Sequence, residues 1–225
     1  MSKKAIILFS GGLDSTTCLA IAKSQRYTPY ALTFHYGQKH QGEVTAAAHI
    51  AKQFSVQEHK IISLDFLREI TASALIDDTM EVPDYQGDNQ IPPTYVPARN
   101  TIFLSIALAW AEAIKASDVF IGATAIDYSG YPDCRPDYLH AFEKMADLAT
   151  VAGITGQQQF KIHAPLLNHK KSEIITVGMR LGIDYSMTVS CYRLNPEGRS
   201  CGRCDSCTYR KKGFAEAGIA DPTLY

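Results

Sequence analysis

A run of small and hydroxyl-bearing residues follows the first apolar segment of the chain. Lys4 to Phe9 has the continuous apolar character of a buried strand, and Ser10-Gly11-Gly12-Leu13-Asp14-Ser15 follows it directly. Adjacent glycines allow a tight turn whose N–H groups point into one concavity, and the helix predicted from Ser15 to Ser24 adds a favourable dipole. A plain turn, with Ser10 or Asp14 as cap and first-turn acid, would explain two glycines alone. The full hydroxyl-rich string favours a phosphate-binding loop.

The loop resembles one nucleotide-binding signature and excludes two others. The Gly-x-x-x-x-Gly-Lys-Ser/Thr P-loop is absent from the sequence, and the Gly-x-Gly-x-x-Gly fingerprint is absent at this turn. Ser10 to Ser15 resembles the signature of the N-type ATP pyrophosphatases. The resemblance implies that ATP activates a carbonyl or carboxyl oxygen as an adenylate, and that a nitrogen or sulfur nucleophile then displaces AMP. The motif indicates the activation chemistry and leaves the substrate open.

A second constellation consists of cysteines. Four of the six cysteines lie close together in the sequence, at Cys191, Cys201, Cys204 and Cys207. Four thiolates suit a closed tetrahedral zinc site with a structural role. An iron–sulfur cluster is the alternative, but the ferredoxin spacing would put the fourth cysteine at position 211, which is Lys. We therefore prefer zinc, with iron left open, and expect no chemical role for the thiols of Cys18 and Cys134.

Three polar segments are predicted near the carboxyl ends of strands, where open parallel sheets bind ligands. Arg99 and Asn100 lie at a helix start, which disfavours a cation unless an anion is bound there. Helix capping by Asn100 or Thr101 explains that segment equally well. The segment from Asp127 to Pro136 supplies tyrosines that stack on a heterocycle and carboxylates that accept from a guanine-like edge, although a solvated turn is the simpler interpretation. Lys170 and Lys171 begin another helix, as phosphate ligands or as solvated lysines.

These residues need a scaffold, and the chain alternates short apolar strands with helical periods. Strands are predicted over Lys4 to Phe9, Tyr30 to Tyr36, His59 to Leu64, Asp118 to Thr124 and Phe160 to Leu166. Helices are predicted over Ser15 to Ser24, Glu43 to Phe54, Ile102 to Lys115, Pro136 to Thr150, Lys170 to Leu181 and Thr208 to Ala217, the third apolar almost all round and therefore buried. The pattern predicts an α/β fold, an open doubly wound parallel sheet of about five strands. We expect residues 1–185 to form this domain and residues 186–225 a small cysteine-rich, zinc-binding helical tail packed on it.

The composition and net charge argue against several classes of function. The 225 residues are 46% hydrophobic and 20% charged, which is typical of a folded globular protein. The net charge of -1 argues against a broad nucleic-acid or membrane footprint. The sequence shows no export or membrane segment, so we expect a cytoplasmic protein, where six cysteines favour metal binding over disulfides.

Taken together, the motifs resemble the 7-cyano-7-deazaguanine synthases of queuosine biosynthesis. The resemblance covers nearly the whole chain and rests on Ser10–Ser15, Val96–Thr101, Gly130–Arg135, Lys171-Ser172-Glu173-Ile174 and Ser190-Cys191-Tyr192 with the later cysteines. It implies an adenine-nucleotide α-hydrolase-like fold, a homodimer, and an AMP-forming ligase that makes C–N bonds. The implied substrates are 7-carboxy-7-deazaguanine, ammonia and ATP with Mg²⁺. Adenylated acid and amide intermediates would lead to the nitrile.

The predicted site residues fall into four groups. The nucleotide segment comprises Phe9, Ser10, Gly11, Gly12, Leu13, Asp14, Ser15, Thr16, Thr17, Cys18 and Leu19. The predicted catalytic residues are Ser10, Asp14, Arg99 and Lys171, and the last two would screen developing negative charge on the phosphorus. Tyr131, Asp133 and Arg135 would orient the deazapurine. The four clustered cysteines would hold one structural zinc ion.

Two other functions are consistent with the phosphate loop. A tRNA-modifying enzyme of the same superfamily would activate a base in place, but the chain has near-zero net charge and no evident RNA-binding module. A non-catalytic nucleotide sensor would bind ATP without turnover. The intact loop together with both lysines favours catalysis over sensing.

Overall fold

The sheet is parallel throughout and reverses its strand order at the centre. The computed structural model describes residues 2–39, 42–87, 91–124 and 131–225. Its strands are β1 (Lys4–Leu8), β2 (Thr28–His35), β3 (Glu58–Ser63), β4 (Asp118–Phe120) and β5 (Lys161–His163). They pair in the order β3-β2-β1-β4-β5. The reversal between β1 and β4 opens a crevice at the carboxyl ends of these two strands, which is where such sheets bind ligands.

Helices cover both faces of this sheet, as predicted. They are α1 (Leu13–Ser24), α2 (Gly42–Gln53), α3 (Leu67–Ile70), α4 (Arg99–Ile114), α5 (Pro136–Ala149), α6 (Val151–Ile154), α7 (Lys171–Arg180) and α8 (Asp205–Ala217), with 3₁₀ turns at Pro132–Cys134 and Tyr185–Met187. Alternate residues of β1 face opposite sides. Ile6 and Leu8 pack in a core with α4 and α5, whereas Ala5 and Ile7 pack in a second core with α1, α2 and α7.

Three expectations about individual elements were wrong. Only Lys161–His163 forms β5, although a strand was predicted over Phe160 to Leu166. Only Asp118–Phe120 pairs in β4, because the chain then leaves the sheet and Gly122 passes against the start of α1. The apolar helix α4 is buried on one face alone, through Leu104, Ala107, Leu108 and Ala111. Its other face includes exposed alanines and Ser105, which cost little free energy in water because they carry little apolar surface.

The segment after Ile183 and the long proline-containing stretch before α4 lie against each other. Arg193 pairs with Asp84 and donates to the Val82 carbonyl over 2.9 Å. Tyr85 meets Tyr209 of α8 edge to face, with ring centroids 5.5 Å apart. This packing joins the tail to the domain. Among the described residues no helix has the length and apolar character needed to cross a membrane.

Candidate active site

The predicted phosphate loop is held in shape by its own hydroxyl groups. The Ser10 N–H donates to Ser15 Oγ over 3.2 Å, and the Gly12 N–H donates to Ser10 Oγ over 3.3 Å. Ser15 Oγ also donates to the Gly12 carbonyl over 3.2 Å. Helix α1 begins at Leu13, so its first backbone N–H groups have no intrahelical acceptor. A preformed turn in front of a helix N-terminus is a general anion-binding arrangement.

Gly11 explains why the loop and helix α2 are in contact. Its φ of +80° lies in the left-handed region that favours glycine. A Cβ at this position would lie 2.5 Å from Ala47 N and 2.7 Å from the Glu43 carbonyl oxygen. The missing side chain therefore lets the first turns of α2 pack directly on the phosphate loop.

A lysine from the other end of the chain lies beside the loop. Lys171 Nζ donates to Asp14 Oδ1 over 2.7 Å and to Asp14 Oδ2 over 2.8 Å. Lys171 is the first residue of α7, and Gly213 of α8 contacts its side chain so closely that a Cβ there would lie 2.4 Å from Lys171 Cγ. Lys170 is exposed, and its N–H donates to Glu173 Oε2 over 2.7 Å. The two lysines, for which the sequence predicted the same alternatives, thus differ in the structure: Lys171 lies beside the phosphate loop, and Lys170 lies in solvent.

The rest of the predicted nucleotide segment divides between cavity and core. Phe9 and Leu13 line the crevice, together with Ser10, Gly12, Asp14 and Ser15. Thr16, Thr17, Cys18 and Leu19 are fully buried, and none of their side chains is in the crevice lining. Thr17 Oγ1 donates to the Leu13 carbonyl and lies 2.7 Å from Tyr185 Oη. Contact of these four side chains with ATP stays a prediction.

Arg99, at the start of α4, faces aromatic rings. Its Nη1 donates to Tyr36 Oη over 3.3 Å, and its guanidinium lies 5.6 Å from the Tyr36 ring centroid and 6.0 Å from that of Phe103. Within the part of the chain that the structure describes, no carboxylate lies within 4 Å of this cation. A guanidinium that is free of a protein counter-ion suits a substrate carboxylate or phosphate.

The predicted deazapurine residues occupy three different environments. Tyr131 lines the crevice, and its ring centroid is 5.7 Å from that of Tyr95. Asp133 is buried outside the lining, where its oxygens accept from Asn100 N over 2.9 Å and from Asn100 Nδ2 over 3.3 Å. Arg135 is exposed. Residues 127–130 of the same predicted segment lie outside the described residues.

Asp133 also resolves the choice between explanations for the start of α4. Neither Asn100 nor Thr101 caps the helix, because the residue before its first turn is Ala98, with φ of 53° and no side-chain hydrogen bond. The Asp133 carboxylate accepts the helix N–H of Asn100 instead. Asn100 therefore lies in the crevice lining beside Cys134, and its Nδ2 donates to Cys134 Sγ. No chemical role was expected for this thiol from the sequence.

Sequence reasoning missed several residues of the crevice, whose volume is about 230 Å³. These are Leu8, Leu32, Phe34, Tyr36, Glu43, Phe103, Ile121, Gly122, Ala123, Ser190, Tyr192 and Ser206. Most carry no motif, because an apolar strand residue has the same sequence pattern whether it faces a core or a cavity. Ser190, Tyr192 and Ser206 are the exceptions, since each is next to a clustered cysteine in the sequence. The phosphate loop, with Lys171 beside Asp14, forms one part of the crevice lining, and Arg99 and Tyr131, which contact Tyr36 and Tyr95, form another. We refer to these two parts as the two ends of the crevice.

The four clustered cysteines form one centre. Their Sγ atoms all lie within 4.8 Å of one another. Cys191 Sγ accepts the N–H groups of Arg193 over 3.3 Å and Cys201 over 3.2 Å. Backbone donors of this kind stabilise thiolates in metal centres. A compact set of four sulfur atoms with backbone N–H donors fits a tetrahedral metal ion, and these residues can hold one.

The fold and the crevice define a class of protein: parallel α/β proteins whose first strand leads through a pyrophosphatase-type loop into a helix. Solved structures of similar fold include a predicted tRNA methyltransferase subunit from Methanocaldococcus jannaschii, with TM-score 0.53 and 17% identity over 99% of this chain and 92% of that one. A 4-thiouridine synthetase–RNA complex with bound ATP matches with TM-score 0.51 and 19% identity over 96% of this chain and 50% of that chain. At these identities the likeness concerns the fold alone.

The particular family follows from the sequence. The model of the queuosine biosynthesis protein QueC matches residues 4–218, and the chain belongs to this family. A 7-cyano-7-deazaguanine synthase of Coxiella burnetii is 60% identical over 223 residues, 99% of this chain and 98% of that protein. One from Syntrophotalea carbinolica is 57% identical over 225 residues, 100% of this chain and 97% of that protein. The family predicted from the motifs is confirmed.

Proposed function

We propose that this protein converts 7-carboxy-7-deazaguanine and ammonia into 7-cyano-7-deazaguanine, with release of AMP and pyrophosphate. It is an ATP-dependent ligase of queuosine biosynthesis, in keeping with its family and its named relatives. One observation carries the detailed proposal. A single crevice holds an anion-binding loop at one end and an unneutralised arginine among aromatic rings at the other. That geometry suits an anionic heterocycle that reacts with a nucleoside triphosphate.

The phosphate end activates the substrate. The substrate carboxylate attacks the α-phosphorus of ATP, and pyrophosphate leaves toward the loop of Ser10, Gly11, Gly12 and Ser15, all of which except Gly11 line the crevice. The free N–H groups at the start of α1 stabilise its charge. Asp14 holds the Lys171 ammonium in place, and this cation offsets the negative charge on the transferring phosphorus. When Mg²⁺ is bound with the ATP, it neutralises phosphate charge, and Asp14 is the carboxylate of the loop that can approach it.

The opposite end binds the deazaguanine. Arg99 pairs with the negatively charged carboxylate of the substrate until adenylation removes the charge of that carboxylate. Tyr131 packs on the ring, and Asp133 acts on the base through Asn100, whose amide its oxygens fix. Arg135 contributes through charge alone, because its side chain is exposed. After ammonia has formed the amide, a second ATP activates the amide oxygen in the same crevice, and loss of AMP leaves the nitrile.

The cysteine centre has a structural role in this proposal. Zinc bound by its four thiolates has no open position for a substrate. The centre fixes Ser190, Tyr192 and Ser206 against the crevice wall. Residues 186–225 thus act as a metal-binding tail on a domain of residues 1–185, with iron as the alternative that metal analysis would reveal.

The quaternary structure and the compartment are further parts of the proposal. Met145 and Leu148 of α5 and Val151 and Ile154 of α6 form an exposed apolar surface, which supports a homodimer. Leu148→Glu would then give a monomer by light scattering, and an unchanged dimer would place the interface elsewhere. None of the six cysteines, all of which the structure describes, is in a disulfide, and this supports a reducing compartment such as the cytosol.

A single assay tests the proposed reaction. Pyrophosphate release from ATP is measured with the deazaguanine acid and ammonium added singly and together, and the base product is identified by mass. We expect release that depends on the acid and nitrile formation that depends on both. No release from protein with stoichiometric metal would reject this substrate. Salt-sensitive tRNA binding would then favour the tRNA-modifying alternative, and ATP binding without turnover would favour a sensor.

A further inference from the structure

Glu43 brings a carboxylate into the crevice at a point that the reaction above leaves unused. It lies in the first turn of α2 and lines the crevice with Ser10 and Arg99. The close packing of Gly11 on the backbone of residues 43 and 47 fixes the distance between this turn and the phosphate loop. Glu43 is therefore held between the pyrophosphate site and the cation that meets the substrate carboxylate.

Among the residues that the structure describes, this carboxylate has no hydrogen-bond or ion-pair partner. The hydrogen bonds and ion pairs formed among the described residues include none to the Glu43 side chain, and Arg99 influences it from beyond 4 Å. Phe34 and Tyr36 line the same crevice, so aromatic side chains share the cavity with this carboxylate. Burial raises the pKa of Glu43 to about 7, although the positive charge of Arg99 opposes the rise. An incompletely neutralised carboxylate in such a place suits a small cation that the reaction itself brings in.

We propose that Glu43 binds the incoming ammonium ion and accepts a proton from it as nitrogen attacks the acyl adenylate. This inference rests on the proposed function and adds a catalytic residue to it. A single carboxylate beside apolar rings suits ammonium better than Mg²⁺, which requires near-octahedral oxygen coordination and keeps several waters. Asp14 already supplies the carboxylate of the phosphate end.

The step needs no reactant other than ammonium, the acyl adenylate, Glu43 and water. Ammonium gives one proton to Glu43, and the freed lone pair on nitrogen attacks the carbonyl carbon to form the C–N bond. The C–O bond to AMP breaks, and its electron pair leaves on the AMP phosphate. A second proton passes from nitrogen to water, which gives the neutral amide. Glu43 then returns its proton to solvent.

Glu43→Gln separates this role from adenylation. We expect wild-type rates of deazaguanine-dependent ATP–pyrophosphate exchange without ammonium, because that exchange reports only formation of the adenylate. Ammonium-dependent amide formation should fall about 100-fold, as for loss of a general base. Hydroxylamine, which is uncharged at neutral pH, should trap the adenylate as the hydroxamate at nearly the wild-type rate. Glu197→Gln, at an exposed glutamate, is the matched control and should leave all three rates unchanged.

The remaining outcomes decide against the inference. Amide formation within about threefold of wild type, or equal losses in exchange and amide formation, would overturn it. Glu43→Asp keeps the charge and covers the case in which Glu43→Gln does not fold; it should lose amide formation selectively, and an unchanged rate would again overturn the proposal. If the wild-type enzyme itself shows no deazaguanine-dependent exchange, then the proposed function fails and not this assignment alone.

Discussion

The two ends of the crevice are built in opposite ways. At the phosphate end, the charged and hydroxyl groups already satisfy one another: Ser10 bonds Ser15, and Lys171 bonds both oxygens of Asp14. At the deazaguanine end, Arg99 and Glu43 lie in one cavity without forming an ion pair. The difference indicates that the phosphate end is rigid before ATP binds. The other end keeps charges uncompensated so that the substrates can compensate them.

The largest effect is expected from a variant that removes the Lys171–Asp14 ion pair at the phosphate end. Lys171→Ala removes the cation beside Asp14, and we expect pyrophosphate release to fall about 10²–10³-fold because charge on the transferring phosphorus loses its partner. Lys170→Ala, at the exposed neighbouring lysine, is the control and should stay within about twofold of wild type. Equal losses in both variants would show that the two lysines act only through general surface charge.

A somewhat smaller effect is expected at the other end. Arg99→Gln should raise the KM for the deazaguanine acid about 100-fold, since a charge-assisted bidentate contact is lost, and leave ATP binding unchanged. Arg99→Lys should restore little, because a lysine lacks the planar fork of the guanidinium. Steady-state kinetics with each substrate varied checks this. Arg135→Gln is the exposed control, and a larger effect there than at Arg99 would exchange the two roles.

The two ends also differ in how far the sequence reveals them. The turn from Ser10 to Ser15 was predicted from the sequence, because contiguous glycines and hydroxyls leave a local pattern. Its contact with phosphate stays a prediction. Glu43 and Tyr36 left no such pattern, since they reach the crevice only through the pairing of β1 with β2 and the packing of Gly11 on α2. Local spacing specifies a turn, whereas a cavity wall depends on tertiary contacts.

The same reasoning explains the errors within the fold. All five strands were predicted in the right places, because buried parallel strands form continuous apolar runs. The length of β4 and the half-exposed face of α4 were not, since both depend on where neighbouring elements stop. Asp133 was interpreted as a substrate ligand from its type. The structure shows that its oxygens accept hydrogen bonds from the backbone N–H and the side-chain amide of Asn100, at the start of α4.

Metal loss should affect the deazaguanine end more than the phosphate end. Ser190, Tyr192 and Ser206 adjoin the cysteine centre and line the crevice. Cys204→Ser should lower the bound metal from one ion per chain and reduce kcat/KM for the deazaguanine about tenfold, because the loosened tail no longer shapes the wall. Emission spectrometry and kinetics measure both. Cys134→Ser is the control for a buried thiol outside the cluster, and equal metal loss there would contradict the ligand set.

The smallest effect tests whether the phosphate end depends on Tyr185, the first residue of the 3₁₀ turn Tyr185–Met187. Tyr185 Oη lies 2.7 Å from Thr17 Oγ1 and donates to the Ile174 carbonyl over 3.3 Å, so it links α1 to α7 beneath the loop. Tyr185→Phe leaves Thr17 its bond to the Leu13 carbonyl, and we expect a loss of about 1 kcal/mol in the free energy of unfolding. In a chain of this size that loss lowers Tm by about 2–4 °C. Pyrophosphate release should change less than about twofold, because the loop is held by Ser10 and Ser15. A tenfold loss of pyrophosphate release would mean that the loop needs this buried contact. The two ends of the crevice would then differ only in degree in how rigid they are before substrates bind.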